Sequence, residues 1–420
     1  MKTRFFLLLL IALPACSSHK SEQVLREVSH NGGKLYEIHV ELINPEVVEV
    51  KLSELIDDFR VIPLETNEKC LIQNTKIHFQ EDFIFIGTQN FPNTARLYRF
   101  DKNGNFIDEF GKAGRGPGEN EGNMVDFINY CEKSKTLLAR WFSRADKPQV
   151  FDNAGNLLFE INPPYTLNFN IHRWSDTVWF STGFMAGIPR QQEDSVALVY
   201  YNRNGEVLSQ RKRNSFPPPR GYSFGGFNPS LYKSDNRYKL YMPGNDTVFS
   251  LADMKMIPYA VLIPGKNAIP FNQSILPEQI VGKYDLRILS ETSDNWFIGK
   301  RVYTEANVRE YNGNWSGSFN SEEQLIIVDK HSGKAILANL TDDVFNMLPD
   351  EAIPQVMNWD NNRLYFDLSP YIIGELTGGI NVEELAFPGA REALEMVNEI
   401  PAENNPVIFT FSLKDKFEIK

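Results

Sequence analysis

Eleven side chains carry the chemistry that a ligand site would need. Arg115 and Glu119 lie in or beside the glycine-rich stretch 111–118, and Arg140, Trp141 and Arg144 sit at the end of a strand-like run. His172 stands next to Arg173 and Trp174, while Arg190, Arg220, Tyr222, Tyr311 and Trp315 fall in long stretches between strand-like runs. Arginine offers forked donors to carboxylates, and aromatic rings stack on sugar rings and other flat apolar faces. This set fits capture of a glycan, a peptide or a partner protein. The plainer reading has the arginines paired with surface acids, the aromatics pinning loops, and His172 as a satisfied core histidine.

Signatures of catalysis are sparse. No Gly-Lys-Ser/Thr follows the glycines of 111–118, so the stretch is not a phosphate-binding loop, and no His-Glu-x-x-His, Gly-x-Ser-x-Gly or Cys-x-x-Cys occurs. His30, His39, His78, His172 and His331 are scattered without zinc spacing, and His19 lies near the start. No cofactor is expected. Calcium is the one cation with conceivable ligands, since Asn168, Asn170 and Asn228 could offer oxygens, but no spacing singles them out. A binding module is therefore the preferred reading. The alternative is a hydrolase or lyase, calcium-dependent in one version, acting on a carbohydrate or a lactone.

The first residues set the compartment. Lys2 and Arg4 precede an apolar run at 5–13 that is too short to span a bilayer, which describes a signal segment. Leu13-Pro14-Ala15-Cys16 resembles a bacterial lipobox, so cleavage before Cys16 and acylation of its thiol are expected. The organisation expected is a signal peptide at 1–15, a lipidated tether at 16–45 and a folded body at 46–420, placed in the cell envelope and by preference at the outer membrane. The chain carries 43 basic and 54 acidic residues, a net charge of −11, and loses two more cations with the signal. Such a surface repels phosphate backbones and argues against nucleic acid as a partner. Cys70 and Cys131 could bond in an oxidising envelope; two free thiols is the simpler reading.

A repeat must position these groups. Asp101, Asp152, Asn202, Asp253, Asp329 and Asp415 each follow an aromatic or β-branched run and open a polar turn. Their spacings are 51, 50, 51, 76 and 86 residues. Gly104, Gly155, Gly205 and Gly333 complete four of the turns, a hairpin signal with a stated cause: Asp or Asn bonds its own backbone and glycine supplies positive φ. Upstream of each lies a second turn, at 80–82, 132–135, 175–176, 234–236, 293–295 and 360–362. Six strand pairs of each kind predict an all-β, six-bladed β-propeller with four-stranded antiparallel blades at 74–111, 124–161, 168–211, 228–263, 284–340 and 354–420. Strand-like residues within 47–64 are expected to pair with the last blade, and one short helix is expected at 389–399. Alternation of the chain sends the long segments 111–123, 183–194, 212–227, 264–283, 305–322 and 369–405 to one face, opposite the short turns, and function concentrates on such rims.

Residues 106–119, Phe-Ile-Asp-Glu-Phe-Gly-Lys-Ala-Gly-Arg-Gly-Pro-Gly-Glu, resemble the blade-end signature of NHL-like repeats. Together with Asn245-Asp246-Thr247-Val248-Phe249, Pro258-Tyr259-Ala260-Val261 and Arg60-Val61-Ile62-Pro63-Leu64-Glu65-Thr66, they look like the six-bladed β-propeller lipoproteins of Bacteroides-like bacteria. The resemblance spans the mature chain and implies a fold and a surface-lipoprotein status. It implies no activity.

Overall fold

The computed structural model describes residues 23–419 apart from 73–74, 89–94, 115–118, 121–123, 142–146, 165–168, 184–195, 213–228, 243–245, 271–276, 312–313, 349–356, 361 and 379. The segment expected to be a signal, Cys16, Arg115, Arg144, Asn168, Arg190, Arg220, Tyr222 and Asn228 lie outside the described residues, as do the side chains of Asn170, Tyr311 and Trp315.

The fold is all-β with few helices, built from four-stranded antiparallel sheets in a propeller-like order. Sheet one holds Thr75–Phe79, Phe83–Thr88, Leu97–Asp101 and Phe106–Phe110; sheet two holds Val125–Cys131, Thr136–Trp141, Gln149–Phe151 and Leu157–Glu160. Sheet three holds Phe169–Arg173, Val178–Gly183, Val196–Asn202 and Val207–Lys212. Sheet four is built on Ser230–Ser234, Arg237–Met242, Thr247–Ala252 and Lys255–Ile263, and sheet five on Tyr284–Glu291, Asn295–Tyr311, Asn314–Asp329 and Ala335–Thr341. Sheet six holds Asn358–Asp360, Arg363–Leu368 and Val407–Leu413. The first strands of consecutive sheets touch at one–two, two–three, four–five and five–six. Large aromatics fill the spaces between sheets, as in Phe85 against Tyr130 at 5.3 Å and Phe180 against Tyr238 at 5.1 Å.

The turns form for the reason their residues suggest. Asp101 Oδ1 accepts from the backbone N–H of Asn103 and Asn105, Asp152 Oδ1 from Ala154 and Asn156, and Asn202 Oδ1 from Asn204 and Glu206, all within 3.1 Å. Gly104 and Gly205 have φ of +88° and +85°, and a Cβ there would stand 2.2 Å from the Pro63 carbonyl oxygen and 2.4 Å from that of Asn162. Those carbonyls belong to the neighbouring sheet's exit, whose backbone also bonds the turn (Glu65 N–H to Gly104 O, 2.8 Å; Asn162 N–H to Arg203 O, 2.9 Å). Each of these turns is thus a joint between sheets. The turn of sheet four lacks glycine and places Asp253 and Met254 at φ +49° and +55° instead.

The N-terminal segment departs from expectation. Ile56–Pro63 pairs antiparallel with Val407–Leu413 as the outer strand of sheet six, but Val47–Lys51 pairs in parallel with Ala335–Thr341 of sheet five. Within the segment expected to be a tether, Leu25–His30 and Gly33–His39 form a hairpin whose second strand pairs in parallel with Lys255–Ile263 of sheet four. Leu25, Leu35 and Ile38 are buried there; each such side chain contributes about 2 kcal/mol on burial, enough to seat a short hairpin. Residues 25–63 therefore strap sheets four, five and six in turn. Asn405 ties sheet six to the approach of sheet one: its Oδ1 accepts from Ile72 N–H at 2.8 Å and its Nδ2 donates to the Glu65 and Cys70 carbonyls.

Two insertions also differ. The expected loop 305–322 is a ribbon, because Asn295–Tyr311 and Asn314–Asp329 stay paired until Tyr311 faces Asn314. The insertion 369–405 holds two helices rather than one: Ala390–Asn398, burying Ala390, Leu394 and Val397, and Pro370–Thr377, capped by Ser369 Oγ accepting from Ile372 N–H at 3.3 Å. No helix among the described residues is long and apolar enough to cross a membrane.

Candidate functional site

In sheets one to four the penultimate residue of the first strand pairs across the short turn with the second strand. His78 pairs with Phe85, Tyr130 with Leu137, His172 with Phe180, and Lys233 with Tyr238. The His172 ring stacks on Phe180 at 5.1 Å and meets Tyr238 of sheet four at 6.1 Å; Lys233 Nζ stands 4.7 Å from the Tyr238 ring centroid. Burial holds the His78 imidazole down at about 4, helped by Lys76. Burial likewise holds His172 at about 3, helped by His78, Lys233 and Arg140, so both rings are neutral near pH 7.

A cleft of about 450 Å³ opens at the short-turn end of sheets one to four. Its cations are Lys133, Arg173 and Lys233, its carboxylates are Glu132 and Asp176, its aromatic residues are Tyr130, Trp174 and Tyr238, and its thiol is Cys131. Arg173 is fixed by Asp176 at 3.1 Å, the Ser175 carbonyl at 3.2 Å and the Thr136 hydroxyl, so its guanidinium is pre-positioned. Glu132 is engaged by Lys135 at 2.7 Å. Burial would push the Cys131 thiol up, but hydrogen bonds at Ser134, the Arg173 charge and the Lys133 backbone outweigh it and hold the group below its ordinary value. Cys70 is buried, donates to the Glu65 carbonyl at 3.2 Å and is pushed up by burial; both thiols are free. The cleft can hold a polar ligand against flat aromatic faces with positive charge around it. Among the described residues no group of three or more His, Cys, Asp or Glu side chains is placed to hold a metal ion.

Of the residues singled out in the sequence, Glu119, Arg140, Trp141 and His172 are described and do not line this cleft, whereas Arg115, Arg144, Arg190, Arg220 and Tyr222 lie outside the described residues. Trp141 is 1 % exposed and packs on Phe151 at 5.9 Å, which makes it core. Arg140 is buried, with its charge felt by His172 and Tyr201. Glu119 lies against Gly114, whose φ is +149° and where a Cβ would stand 2.2 Å from Glu119 Oε2; Glu119–Asn120 pairs in parallel with Lys112–Ala113. Tyr311 and Trp315 lie near the end of the ribbon of sheet five, on the side away from the short turns. Among the described candidates, His172 adjoins the cleft through Tyr238, one of its lining residues. Arg173, Lys233, Tyr238 and Cys131 were missed, although their shared position beside the inner turns was readable from the repeat.

A family model described as "Domain of unknown function (DUF4934)" matches residues 35–412. The chain belongs to this family. No curated protein sequence matches it. Among solved structures, the chain is similar to a "Putative exported protein" of Bacteroides fragilis, with TM-score 0.60, 15% identity, and coverage of 88% of this chain and 98% of that one. A member of the duf4221 family from Bacteroides vulgatus gives TM-score 0.49 and 12% identity over 86% of this chain and 97% of that one. The β-propeller domain of Cps50 (Swd1) from Myceliophteria thermophila gives 0.33 and 9% over 67% and 88%. The first of these likenesses supports the fold; none supplies an activity.

Proposed function

We propose that this DUF4934 protein is a cell-envelope binding module, a six-bladed propeller tethered by lipid on Cys16, that captures an acidic saccharide in the short-turn cleft. The observation that carries the reading is the cleft itself, where Lys133, Arg173 and Lys233 line the same space as Tyr130, Trp174 and Tyr238, and the two lining carboxylates, Glu132 and Asp176, are already engaged by Lys135 and Arg173. Aromatic faces suit sugar rings, and the fixed Arg173 guanidinium with two lysine ammonium groups suits a uronate carboxylate. The lipobox-like Leu13-Pro14-Ala15-Cys16 and the likeness to an exported-type Bacteroides protein support the envelope placement.

Calorimetric titration of the full chain carrying Cys16→Ser, with trigalacturonate and with neutral galactotriose as probes, tests it. The acidic probe should bind at least tenfold more tightly than the neutral one. Lys133→Glu with Lys233→Glu should erase that preference while leaving the melting midpoint unchanged. Equal affinity for the two probes, no binding of the acidic one, or an unaffected double variant would each refute the assignment.

A further inference from the structure

A second crevice, of about 300 Å³, lies between sheets three and four on the side of the N-terminal hairpin. Two irregular registers shape it. Val196 pairs with Lys212 and Leu198 with Arg211, which leaves Ala197 as an extra residue on its strand; Val248 pairs with Ala260 and Phe249 with Pro258, which leaves Tyr259 extra. Bulges of this kind twist a strand and re-aim its side chains. Between them the floor is apolar, formed by Leu35, Met242, Phe249, Met256 and Val261, and the unbranched methionines let it adapt to an occupant.

The lip has the opposite character. Arg211 and Lys212 are both exposed, and neither pairs with a carboxylate among the described residues. Among the described residues no Asp or Glu lines the crevice. In a chain with 54 acidic against 43 basic residues, two adjacent cations without an acidic partner among the described residues, beside an apolar slot, are a local charge complement to an anion. At about 30 Å³ for each water-sized unit, the volume holds roughly ten such units.

We infer that this crevice is a binding site for a medium-chain alkyl carboxylate, with the chain laid on the methionine floor and the head group at Arg211 and Lys212. The site is separate from the saccharide cleft, shares no lining residue with it, and stands whether or not that cleft binds a sugar.

The probe is sodium octanoate, titrated below its aggregation threshold into the full chain carrying Cys16→Ser, with methionine methyls labelled with ¹³C for NMR. Octanoate should shift the Met242 and Met256 methyls in a saturable manner, and octanol should do so at least tenfold more weakly. Arg211→Glu with Lys212→Glu, at exposed positions that should not alter the melting midpoint, should weaken octanoate at least tenfold and bring it to the level of octanol. Absence of shifts at those two methyls, equal affinity for octanol, or undiminished binding by the double variant would overturn the assignment.

Discussion

Replacing Glu291 by alanine should destabilise the protein by about 3–5 kcal/mol, the range for breaking a buried ion pair from one side. The Glu291 carboxylate has no exposed surface and accepts from Lys239 Nζ at 2.8 Å, Lys330 Nζ at 2.7 Å, Tyr232 Oη at 2.9 Å and Tyr259 Oη at 2.6 Å. Lys239 also lies 3.8 Å from the Tyr259 ring centroid, and Lys330 4.6 Å from that of Trp296. Burial would push the Glu291 carboxyl up; Lys330 and Lys239 outweigh it and keep the group ionised below the usual carboxylate range. Sheets four and five are thus joined by a charge that the alanine variant removes, leaving two ammonium groups facing each other. Glu291→Gln should lose most of the same stability in denaturant unfolding. Glu291→Met combined with Lys239→Met and Lys330→Met should lose less than the single alanine change, because no unpaired charge is left behind. A loss below about 1 kcal/mol for Glu291→Ala would show that the network holds nothing together.

Acid should produce the second large effect. His78 and His172 are held neutral in the fold at about 4 and about 3, against 6.5 in the unfolded chain. As pH falls below about 6.5 the unfolded chain takes up protons that the fold refuses, so stability drops until the folded values are reached. The ceiling is about 1.4 kcal/mol per pH unit for each ring, or about 4 kcal/mol for the pair between pH 6.5 and 5. Both rings keep partial exposure to the space between the inner strands, so screening brings the loss below that ceiling. Asp285, raised to about 6 by burial, works in the opposite sense, since the fold holds its proton where the unfolded chain releases it. The clean comparison is therefore the pH slope of unfolding free energy in the wild type against His78→Gln with His172→Gln. The double variant should lose less stability on acidification; an identical slope would mean the rings are protonated in the fold.

Which features could be read from the chain follows from how far apart the interacting groups lie. Asp101, Asp152 and Asn202 bond backbone only two to four residues ahead, so their turns, the period and the strand pairs were visible in the residues themselves. The cap Ser369-Pro370 and the dipeptide Asn312-Gly313 are equally local signals, for a helix start and for a hairpin turn, inside segments whose length alone suggests loops. The contact of Lys239 with Glu291 spans 52 residues and that of Lys330 spans 39, distances at which no sequence pattern forces an association. The parallel seat of Tyr36 opposite Ala260 is longer still. For the site, the long connections drew attention to one end of the sheets, whereas the described cleft lies at the other, among short turns whose side chains converge only once neighbouring sheets are side by side.

The saccharide cleft is tested most directly by the rate at which iodoacetamide alkylates Cys131, followed by mass spectrometry with Cys70 as the internal control. In the full chain carrying Cys16→Ser, Cys131 should react readily and buried Cys70 should remain unmodified until the protein unfolds. Saturating trigalacturonate should slow the Cys131 reaction at least tenfold, because the thiol lines the space the ligand fills. An unchanged rate with the probe demonstrably bound would place the ligand elsewhere on the molecule and contradict the assignment of the cleft.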